Sequence, residues 1–592
     1  MNRYEPATKI ICTSLFLSST FIAGLLVSPT VLSQTPDAGS ILLQQEQLQP
    51  SFPQQLPNGD ADETVKPAMK ADSGVKVRVK AIHFTGATDL VPNAELTIII
   101  APALDQSLDF NTLQALTEKV TQHLRQSGWL LARAYLPKQD VTEGIIEIAI
   151  LKGRLDGSQS EGGGWIMNLS ENSRIHAETL INIAEYWAPS GSSPKEKQLE
   201  RALLLMNDLP GISARSRFAA GSQTGTTQIT VDVNEGPLVT GNAWVNNFGN
   251  DATGTNQANA VVNVNDPLGY GEHASVYATK SKGLSLARIG FDVPLNSNGL
   301  NGSIAYTDMH YDVITGAGKT ADLNGDARIV TSLISYPFIR SRLLNLYGDL
   351  SYNHKTIVDD SSSGKLTDKR INVFTLSLKG DGIDKWGGDG INSYSIAVTS
   401  GDLDLSGLAS NQATDAATLN TDGHYNKLNL SLSRLQRLPS NFTLLGSFSS
   451  QVASNNLDSS EKFVLGGPTG VRAYPVSEGL GDEGWLGSAE LRYDLPQQTP
   501  LGRLQLSSFV DTGHIRTHNT PGSVSIPTAT GKNSYQLSGV GIGVNITESG
   551  SHSIKVGWAH TLGSNDGRSS LGKHSDGTTD KSRFWLQGIV WF

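Results

Sequence analysis

Residue patterns that could support catalysis or metal binding are few in this sequence. Ser192 and Lys195 satisfy the S-x-x-K spacing of a serine nucleophile with a lysine base, but a serine-rich chain produces this match by chance. Asp402 and Asp404 begin like a calcium-binding loop, yet Ala413 stands where a bidentate Glu is required. No phosphate-binding G-x-x-x-x-G-K-[ST], zinc-binding H-E-x-x-H or nucleophile-bearing G-x-S-x-G segment is present. The sequence therefore predicts neither an enzyme nor a cofactor or metal site.

The charge balance argues against a nucleic-acid partner. Lys and Arg total 46 against 56 Asp and Glu, which gives a formal net charge of -10, whereas a phosphate backbone is bound by a basic surface. Gly is abundant at 61 residues, while Met and Cys are scarce at 5 and 1. This bias is typical of many strands joined by turns, so the composition predicts a mainly β architecture.

The N-terminus has the pattern of a secretory leader. A basic start precedes the apolar stretch 10–27, and small residues that fit a cleavage site end at Ser33. We interpret residues 1–33 as a signal peptide, with an uncleaved membrane anchor as the alternative. Cys12 lies inside this segment, so the mature chain would contain no cysteine. No later segment approaches the roughly 18 consecutive apolar residues of a spanning helix, so any membrane crossing must use strands.

A short helix and a linker follow the leader, and the interval 34–74 is assigned to them. Residues 37–49 (DAGSILLQQEQLQ) predict the helix. Residues 50–74 are rich in Pro, Gln, Asp and Gly and cannot bury enough surface to fold.

Residues 75–155 predict a small β-α-α-β-β domain. Apolar residues recur at spacings of three and four along a helix that begins at Phe110, and Asp109 can cap its start. The other predicted elements are a strand at 77–84, a helix at 93–100, and strands at 130–136 and 145–151.

The same plan returns once, over 156–236. Ser193 and Glu196 form a capping box, and Pro194 suits the first helical position. Two strands follow, at 212–220 and 226–233. Open edges of these two domains could accept an extended guest strand, or the domains could serve as spacers.

Residues 237–592 predict a transmembrane antiparallel β-barrel. Strand-length alternating segments are separated by Gly, Asn, Asp and Ser clusters, with no convincing amphipathic helix. The turn chemistry is explicit at 265–269 (NDPLG), which separates predicted strands at 258–264 and 272–279. The length of this region accommodates about 16 membrane-spanning strands with their connecting loops. Further strands are predicted at 301–307, 344–352, 372–378, 427–432 and 442–448.

The C-terminal segment 583–592 (RFWLQGIVWF) is the strongest local indication of a membrane barrel. Its alternate residues form a lipid-compatible face that ends on an aromatic terminus. These residues are Phe584, Leu586, Val590 and Phe592. Trp585 and Trp591 suit the aromatic girdle at the membrane interface. A buried sandwich strand is the alternative interpretation.

Several motifs together indicate a family. The segment 463–475 (FVLGGPTGVRAYP), followed by 481–484 (GDEG), resembles the lumenal-loop motif of two-partner secretion transporters of the outer membrane. This is the TpsB type, the haemolysin and filamentous haemagglutinin secretion and activation family within the POTRA-barrel superfamily. Residues 507–513 (SSFVDTG) resemble the family's F-x-D-x-G strand motif. Further matches occur in the family's order, at DAGSILLQQ, 132–137 (ARAYLP), 265–269 and 335–342 (SYPFIRSR).

The resemblance implies an architecture. It comprises a sixteen-stranded barrel in the bacterial outer membrane, two periplasmic polypeptide-transport-associated (POTRA) domains, a helix that can plug the pore and a loop folded into the lumen. The loop motif comprises Gly470, Val471, Arg472, Ala473, Tyr474 and Pro475, and the strand motif Phe509, Asp511 and Gly513. In this family the loop arginine pairs with the strand aspartate, here Arg472 with Asp511, as part of transport or as a structural contact. The wider superfamily usually has Gly where Ala473 stands.

The resemblance also implies a function and partners. The chain would export an unfolded, β-helical secreted protein of haemolysin, adhesin or toxin type without nucleotide hydrolysis. Outer-membrane lipids and, during biogenesis, the barrel-assembly machinery would be further partners. A barrel-assembly factor and a passive porin are the alternatives. A large, repetitive, leader-bearing protein in the neighbouring reading frame would identify the cargo.

Overall fold

A computed structural model describes residues 36–48, 76–157, 163–522, 526 and 528–592. The predicted signal peptide and the whole predicted linker at 50–74 lie outside these residues. Within the described part of the chain, no helix is both long and apolar enough to cross a membrane.

The first small domain follows helix α1 (Ala38–Leu48) and has the predicted elements in the predicted order, but its first strand is divided in two and a further short strand precedes the long helix. Its elements are β1 (Lys76–Arg78), β2 (Ala81–Gly86), α2 (Asn93–Ile100), β3 (Ser107–Asp109), α3 (Phe110–Gln126), β4 (Arg133–Tyr135) and β5 (Ile145–Leu151). Asp109 caps α3 by accepting the Thr112 N–H at 2.8 Å. The predicted strand 77–84 breaks because β1 pairs with β3, whereas β2 pairs with β5.

The second small domain contains β6 (Arg154–Leu155), β7 (Trp165–Leu169), α4 (Ala177–Trp187), α5 (Glu196–Asn207), β8 (Ile212–Ala220) and β9 (Thr226–Glu235). Strand β9 pairs with β6 and β7 in parallel and with β8 antiparallel. The predicted capping box at Ser193 is wrong, because α5 begins only at Glu196. Gln198 instead accepts the Lys195 N–H at 2.9 Å. The chain before α5 is held elsewhere, since the Ser192 carbonyl accepts the Leu155 N–H at 2.8 Å.

Sixteen antiparallel strands form a closed barrel in which β27 pairs with β10, and this confirms the predicted fold class. The strands are β10 (Val239–Asn246), β11 (Gln257–Asn265), β12 (His273–Lys280), β13 (Leu284–Pro294), β14 (Asn301–Asp312), β15 (Asn324–Arg340), β16 (Leu344–Ser361), β17 (Gly364–Asp384), β18 (Gly390–Asp404), β19 (Gly423–Arg437), β20 (Phe442–Ala453), β23 (Glu483–Thr499), β24 (Gly502–Arg516), β25 (Ser534–Glu548), β26 (His552–Leu562) and β27 (Ser582–Trp591). Two short strands lie between β20 and β23: β21 (Phe463–Val464) and β22 (Leu480–Gly481).

Several predicted barrel strands were too short. The segment predicted at 372–378 is the middle of β17, and the one at 344–352 is the first half of β16. The parts of β16 and β17 outside the predicted segments pair with each other as far as Ser361 and Gly364. Backbone hydrogen bonds therefore extend both strands into a region where apolar and polar residues no longer alternate. Two short helices, α6 (Gly316–Thr320) and α7 (Ala409–Ala417), lie between barrel strands.

The second small domain docks on one rim of the barrel. The Arg201 guanidinium donates to the carbonyls of Pro337 and Phe338, at 3.0 Å for Phe338. A register shift between Pro337 and Ile339 interrupts the ladder at this point. Arg340 pairs with Asp208 at 2.6 Å. These contacts place the small domains at the barrel end where β10 begins.

Candidate functional site in the barrel lumen

The site is built on residues 454–482, the connection between β20 and β23. Strands β21 and β22 pair antiparallel, so this lumenal loop is a hairpin. At its tip the Val471 N–H donates to the Leu465 carbonyl at 2.7 Å, and the Tyr474 N–H donates to the Val471 carbonyl at 3.0 Å. Gly470 has no room for a side chain, because a Cβ atom there would overlap the Leu465 carbonyl oxygen. The tip is therefore a compact turn bonded to itself.

Arg472 joins this tip to the barrel wall. Its Nε and Nη2 donate to Asp511 Oδ2 and Oδ1 at 2.9 and 2.7 Å, and its Nη1 donates to Glu490 Oε2 at 2.5 Å. Its Cζ lies 3.3 Å from the centroid of the Phe509 ring. The Asp511 side chain is only 1% exposed. The planar guanidinium thus fixes the loop through a bidentate ion pair and a stacked ring.

The three residues of the strand motif share one face of β24 and contact the loop in three different ways. Phe509 supplies the ring under the guanidinium. Asp511 accepts the two side-chain bonds from Arg472 and also its backbone N–H at 3.1 Å. Gly513 leaves space for Leu465, whose Cδ1 would overlap a Cβ atom at this position. The spacing of two residues therefore matches the strand period and presents all three to the loop.

The rest of the loop motif is buried beside this pair. Val471, Ala473 and Tyr474 are each no more than 1% exposed, and Ala473 packs against Gly539 of β25. The Tyr474 ring meets His574 edge-on, with centroids 5.7 Å apart. The Pro475 carbonyl accepts the Glu478 N–H at 3.2 Å. The structure therefore brings together all the predicted residues of the loop and strand motifs.

The predicted C-terminal residues lie on the outside of the barrel, away from this site. Phe584, Leu586, Val590 and Phe592 are 56%, 43%, 53% and 65% exposed. The girdle assignment is wrong for Trp585, whose Nε1 donates to the Arg472 carbonyl at 2.7 Å. Trp591 shares the lumenal face with Trp585, because side chains alternate along a strand. Both tryptophans lie an odd number of residues from the lipid-facing residues, which places them on the opposite face of the strand, and the sequence analysis overlooked this signal.

Helix α1 occupies the same lumen. Ala38, Ile41 and Leu42 are at most 1% exposed and belong to an apolar cluster on the inner wall. The Ala38 N–H donates to Asp359 Oδ1 at 2.9 Å. Gly39 lies against Ser459 and Ser460 of the lumenal loop, where a Cβ atom would overlap them. The helix is therefore held by the wall and by the loop together.

Buried ion pairs link the loop to the wall, and the sequence analysis missed them. Lys355 and Lys427 pair with Glu461 at 2.9 and 2.7 Å. Lys369 pairs with Asp458 at 2.9 Å and with Asp37, just before α1, at 3.4 Å. Lysines at lumen-facing strand positions were the available signal, since a buried lysine needs a partner.

The residues of this site interact through close packing and ion pairs. Among the residues that the structure describes, no group of three or more His, Cys, Asp and Glu side chains is placed to hold a metal ion. Arg472, the three lysines and their carboxylate partners form ion pairs that connect the loop, the residue before α1 and the wall. The arrangement fills the pore with two elements that contact each other.

A closed sixteen-stranded barrel with a helix and a loop in its lumen, preceded by two α+β domains at its rim, defines an outer-membrane polypeptide transporter of POTRA-barrel type. The sequence matches the haemolysin secretion/activation protein family ShlB/FhaC/HecB over residues 225–546 and the ShlB-type POTRA domain over residues 77–153. The chain belongs to this family.

Relatives match over nearly the whole chain. The heme/hemopexin transporter protein HuxB of Haemophilus influenzae (strain 86-028NP) is 25% identical, over 97% of this chain and 98% of its own length. The outer membrane transporter CdiB of Dickeya dadantii (strain 3937) is also 25% identical, over 93% and 94%. The solved structure of CdiB from Escherichia coli superposes with a TM-score of 0.69 at 19% identity, covering 94% of this chain and 99% of that one. The chain is accordingly a two-partner secretion transporter of the outer membrane, with its POTRA domains in the periplasm, and it exports a secreted partner protein.

Proposed function

We propose that the POTRA domains at 75–155 and 156–236 recognise the still unfolded chain of a partner that is β-helical once folded, and that this chain then threads through the barrel at 237–592 without nucleotide hydrolysis. Helix α1 and the lumenal loop fill the lumen, and this observation carries the proposal, because a chain can pass only when one or both move. Folding of the partner outside would supply the direction of transport. The name of one relative, the heme/hemopexin transporter protein HuxB, suggests a protein that binds heme or hemopexin as one kind of cargo.

The loop and strand motifs have a specific role in this proposal. Arg472 and Asp511 hold the loop tip against the wall, and the segment at 34–74 tethers α1 so that it can leave and return. Phe584, Leu586, Val590 and Phe592 face outer-membrane lipids and, during biogenesis, present the terminal strand to the barrel-assembly machinery. Residues 1–33 direct the chain across the inner membrane as a signal peptide.

Secretion of the partner tests the role of the pair. Cells would co-express this chain with a candidate partner, chosen as a large, repetitive, leader-bearing protein encoded in the neighbouring reading frame, and the medium would be assayed for that protein. Arg472→Ala should depress secretion while the barrel still inserts, as judged by its heat-modifiable migration in gels. Normal secretion by this variant would reject the role of the pair.

A further inference from the structure

A groove of about 400 Å³ runs over the outer face of the barrel, across strands β13 to β17. Gly302 and Ser332 lie in it beside Ile304 and Ile334, and these two small residues leave a recess between larger ones. Its large apolar residues include Phe291, Val293, Ile304, Ile334, Leu350 and Phe374. Most of them are exposed although they lie on spanning strands, so the groove faces lipid.

Two arginines stand in one row of the sheet, on the side of this groove that is farther from the small domains. The register pairs Arg328 of β15 with Thr356 of β16, and Thr356 with Arg370 of β17. Paired residues share a face, and Arg328 lies two residues from the exposed Val330, so both arginines are on the outer face. Their side chains are 64% and 57% exposed. Because neighbouring strands are about 4.8 Å apart, the two arginines are separated by roughly 10 Å.

This arginine row lies at the outer surface of the bilayer. Arg340 marks the periplasmic rim, where it pairs with Asp208 of the second small domain. Arg328 is twelve residues from Arg340 on the same strand, and a spanning strand has about 9–11 residues. The arginine row is therefore just beyond the hydrocarbon core, at the level of the head groups of the outer leaflet.

Both guanidinium groups keep donors that the protein leaves free. Among the described residues, Arg328 donates only through its Nε, to Asp308 at 3.3 Å. Arg370 lies 4.0 Å from Asp404, which is too far for a hydrogen bond. Exposed pairs of this kind contribute little, so a stronger acceptor can replace them. A phosphate is such an acceptor, because its oxygens match the planar fork of a guanidinium.

The nearby carboxylates leave the space between the two arginines open. In the next row outward, Asp326 pairs with His310 at 2.9 Å and Asp368 pairs with Lys365 at 2.8 Å. Asp402 is on β18, which lies beyond β17 as seen from the groove. The residue between the arginines is a threonine, whose hydroxyl is a further donor to an anion.

A polar patch separates the groove from the arginine row. The Tyr352 hydroxyl donates to Asn372 Oδ1 at 2.9 Å, and His354 Nδ1 lies 2.8 Å from the same oxygen. A tyrosine with an apolar ring and a polar tip suits the boundary between hydrocarbon and head groups. The outer face of β16 thus changes from Leu350 through Tyr352 and His354 to Thr356, in the order that a lipid changes from its acyl chain to its head group.

From these observations we infer that the groove and the arginine row form one binding site for a phosphorylated glycolipid of the outer leaflet. An acyl chain occupies the recess at Gly302 and Ser332, and a phosphate accepts hydrogen bonds from Arg328 and Arg370. Ser332 is four residues, or about 13 Å, from Arg328, a distance that one lipid spans between its phosphate and the middle of its acyl chain. The depth of the arginines determines the class of lipid, because phosphorylated glycolipids form the outer leaflet of this membrane. The inference goes beyond the proposed function and depends only on the membrane location.

Lipid binding by the purified full chain tests the arginine row. Lipid A, the phosphorylated anchor of such glycolipids, would be titrated into the detergent-solubilised protein, and native mass spectrometry would measure the bound fraction. Arg328→Gln with Arg370→Gln keeps polar side chains but removes both charges. We expect this double variant to lose about tenfold or more in affinity, since charge-assisted hydrogen bonds are lost.

The control is Arg437→Gln, at the periplasmic end of β19. Arg437 is an exposed arginine that pairs with Asp389 at 3.2 Å, so it matches Arg328 in exposure and in having an aspartate partner. It should bind lipid A like the wild type. Heat-modifiable migration in gels would confirm that each variant forms the barrel. Equal affinity of the wild type and the double variant would overturn the inference.

Filling the recess tests the acyl-chain part of the site. Ser332→Phe places a ring in the groove. Ser400→Phe is the matched control, because the register links Ser332 through Tyr352 and Phe374 to Ser400 in one row of the outer face, and Ser400 does not line the groove. We expect Ser332→Phe to bind lipid A more weakly than Ser400→Phe. Equal affinities would show that the recess holds no acyl chain and would overturn the inference.

A competing lipid tests the assigned class. Phosphatidylglycerol also carries a phosphate and acyl chains, and it would be titrated in the same way. Tighter binding of lipid A, lost in the Arg328 and Arg370 double variant, would support the glycolipid site. Equal or tighter binding of phosphatidylglycerol would reject it.

The outcomes for the lipid site and for transport are separate. Wild-type lipid affinity in the Arg328 and Arg370 double variant rejects the lipid site and leaves the transport role standing. Normal secretion by Arg472→Ala rejects the role of that pair in transport and leaves the lipid site standing.

Discussion

Ala473 at the tip of the lumenal loop packs directly against the backbone of Gly539 on β25, with no space for a side chain on the glycine. The methyl group of Ala473 on the loop is matched by the absence of a side chain on Gly539 of the wall. The loop and β25 therefore fit each other as a complementary pair.

Adding a methyl group to Gly539 should displace the loop. A Cβ atom there would overlap that of Ala473, and overpacking of this kind costs about 1–3 kcal/mol. We expect Gly539→Ala to lower the temperature at which the barrel loses its heat-modifiable migration. Gly446→Ala is the control, because a Cβ atom on Gly446 meets nothing within 4 Å. Equal behaviour of the two variants would show that the loop adapts without cost.

Arg472 and Asp511 should behave as one unit. Removing Arg472 leaves the buried Asp511 carboxylate without its counter-ion, which costs about 3–5 kcal/mol. Removing Asp511 leaves Arg472 with Glu490 alone, and removing both leaves Glu490 paired with Arg492. We expect Arg472→Ala and Asp511→Ala each to loosen the loop, and the double variant to be less affected than the sum of the two. Protease accessibility of residues 454–482 in intact outer membranes measures this. Additive effects would argue against the coupling. Arg472→Lys should fail to restore the loop, because an amine lacks the bidentate fork.

Weakening the apolar contact of α1 should open the pore. Burial of Ile41 and Leu42 stabilises the closed state by about 1.5–3 kcal/mol per side chain, so Ile41→Ser with Leu42→Ser should shift the equilibrium toward the open state at least about a hundredfold. Single-channel conductance in planar bilayers measures the open fraction. Gln47→Ala changes an exposed residue of the same helix and should leave conductance unchanged. An unchanged open fraction in the double variant would show that contacts other than those of Ile41 and Leu42 keep the pore closed.

Arg201 should determine how firmly the second POTRA domain is attached. Its guanidinium bonds to two rim carbonyls, and hydrogen bonds to a charged group contribute about 1.5–3 kcal/mol. We expect Arg201→Ala to broaden the distance distribution between spin labels on α4 and on the barrel rim. Arg215→Ala changes an exposed arginine of the same domain and is the control. A distribution as narrow as that of the wild type would show that the remaining contacts, such as Arg340 with Asp208, hold the domain without Arg201.

The ion pair between Arg217 and Asp232 on β8 and β9 should give a small pH dependence. Hydrogen bonds from Arg217 and then Asn168 lower the pKa of Asp232 below its ordinary value. A lowered pKa stabilises the folded domain above the unfolded pKa, and this stabilisation is lost as the pH falls through the folded value. For a surface pair it is below about 1 kcal/mol. Hydrogen exchange of β9 should therefore be faster in Asp232→Asn than in the wild type at neutral pH. The difference should vanish in acid, and a difference that grows there would contradict the assignment.

The sequence alone determined the local elements. Residue spacing along α3 and the position of Asp109 predicted a helix that the structure has, and the alternation of Phe584, Leu586 and Val590 predicted an exposed apolar face. Order-preserving motifs predicted the family and the presence of a lumenal loop. These signals are short-range, because helix caps, turns and face alternation depend on residues a few positions apart.

Apart from Arg472 with Asp511, which the family resemblance implied, only the tertiary structure decided which distant groups meet. Period-two alternation divides β27 into two faces, but closure of the barrel against β10 places Trp585 beside Arg472, 113 residues earlier in the chain. Likewise the Ala38 N–H donates a hydrogen bond to Asp359, 321 residues later in the chain. Such pairs depend on strand register and on how a loop and a helix fill a closed lumen, and no local pattern encodes either. The sequence thus determined which residues share a face of a strand, and the closure of the barrel determined which residues those faces contact.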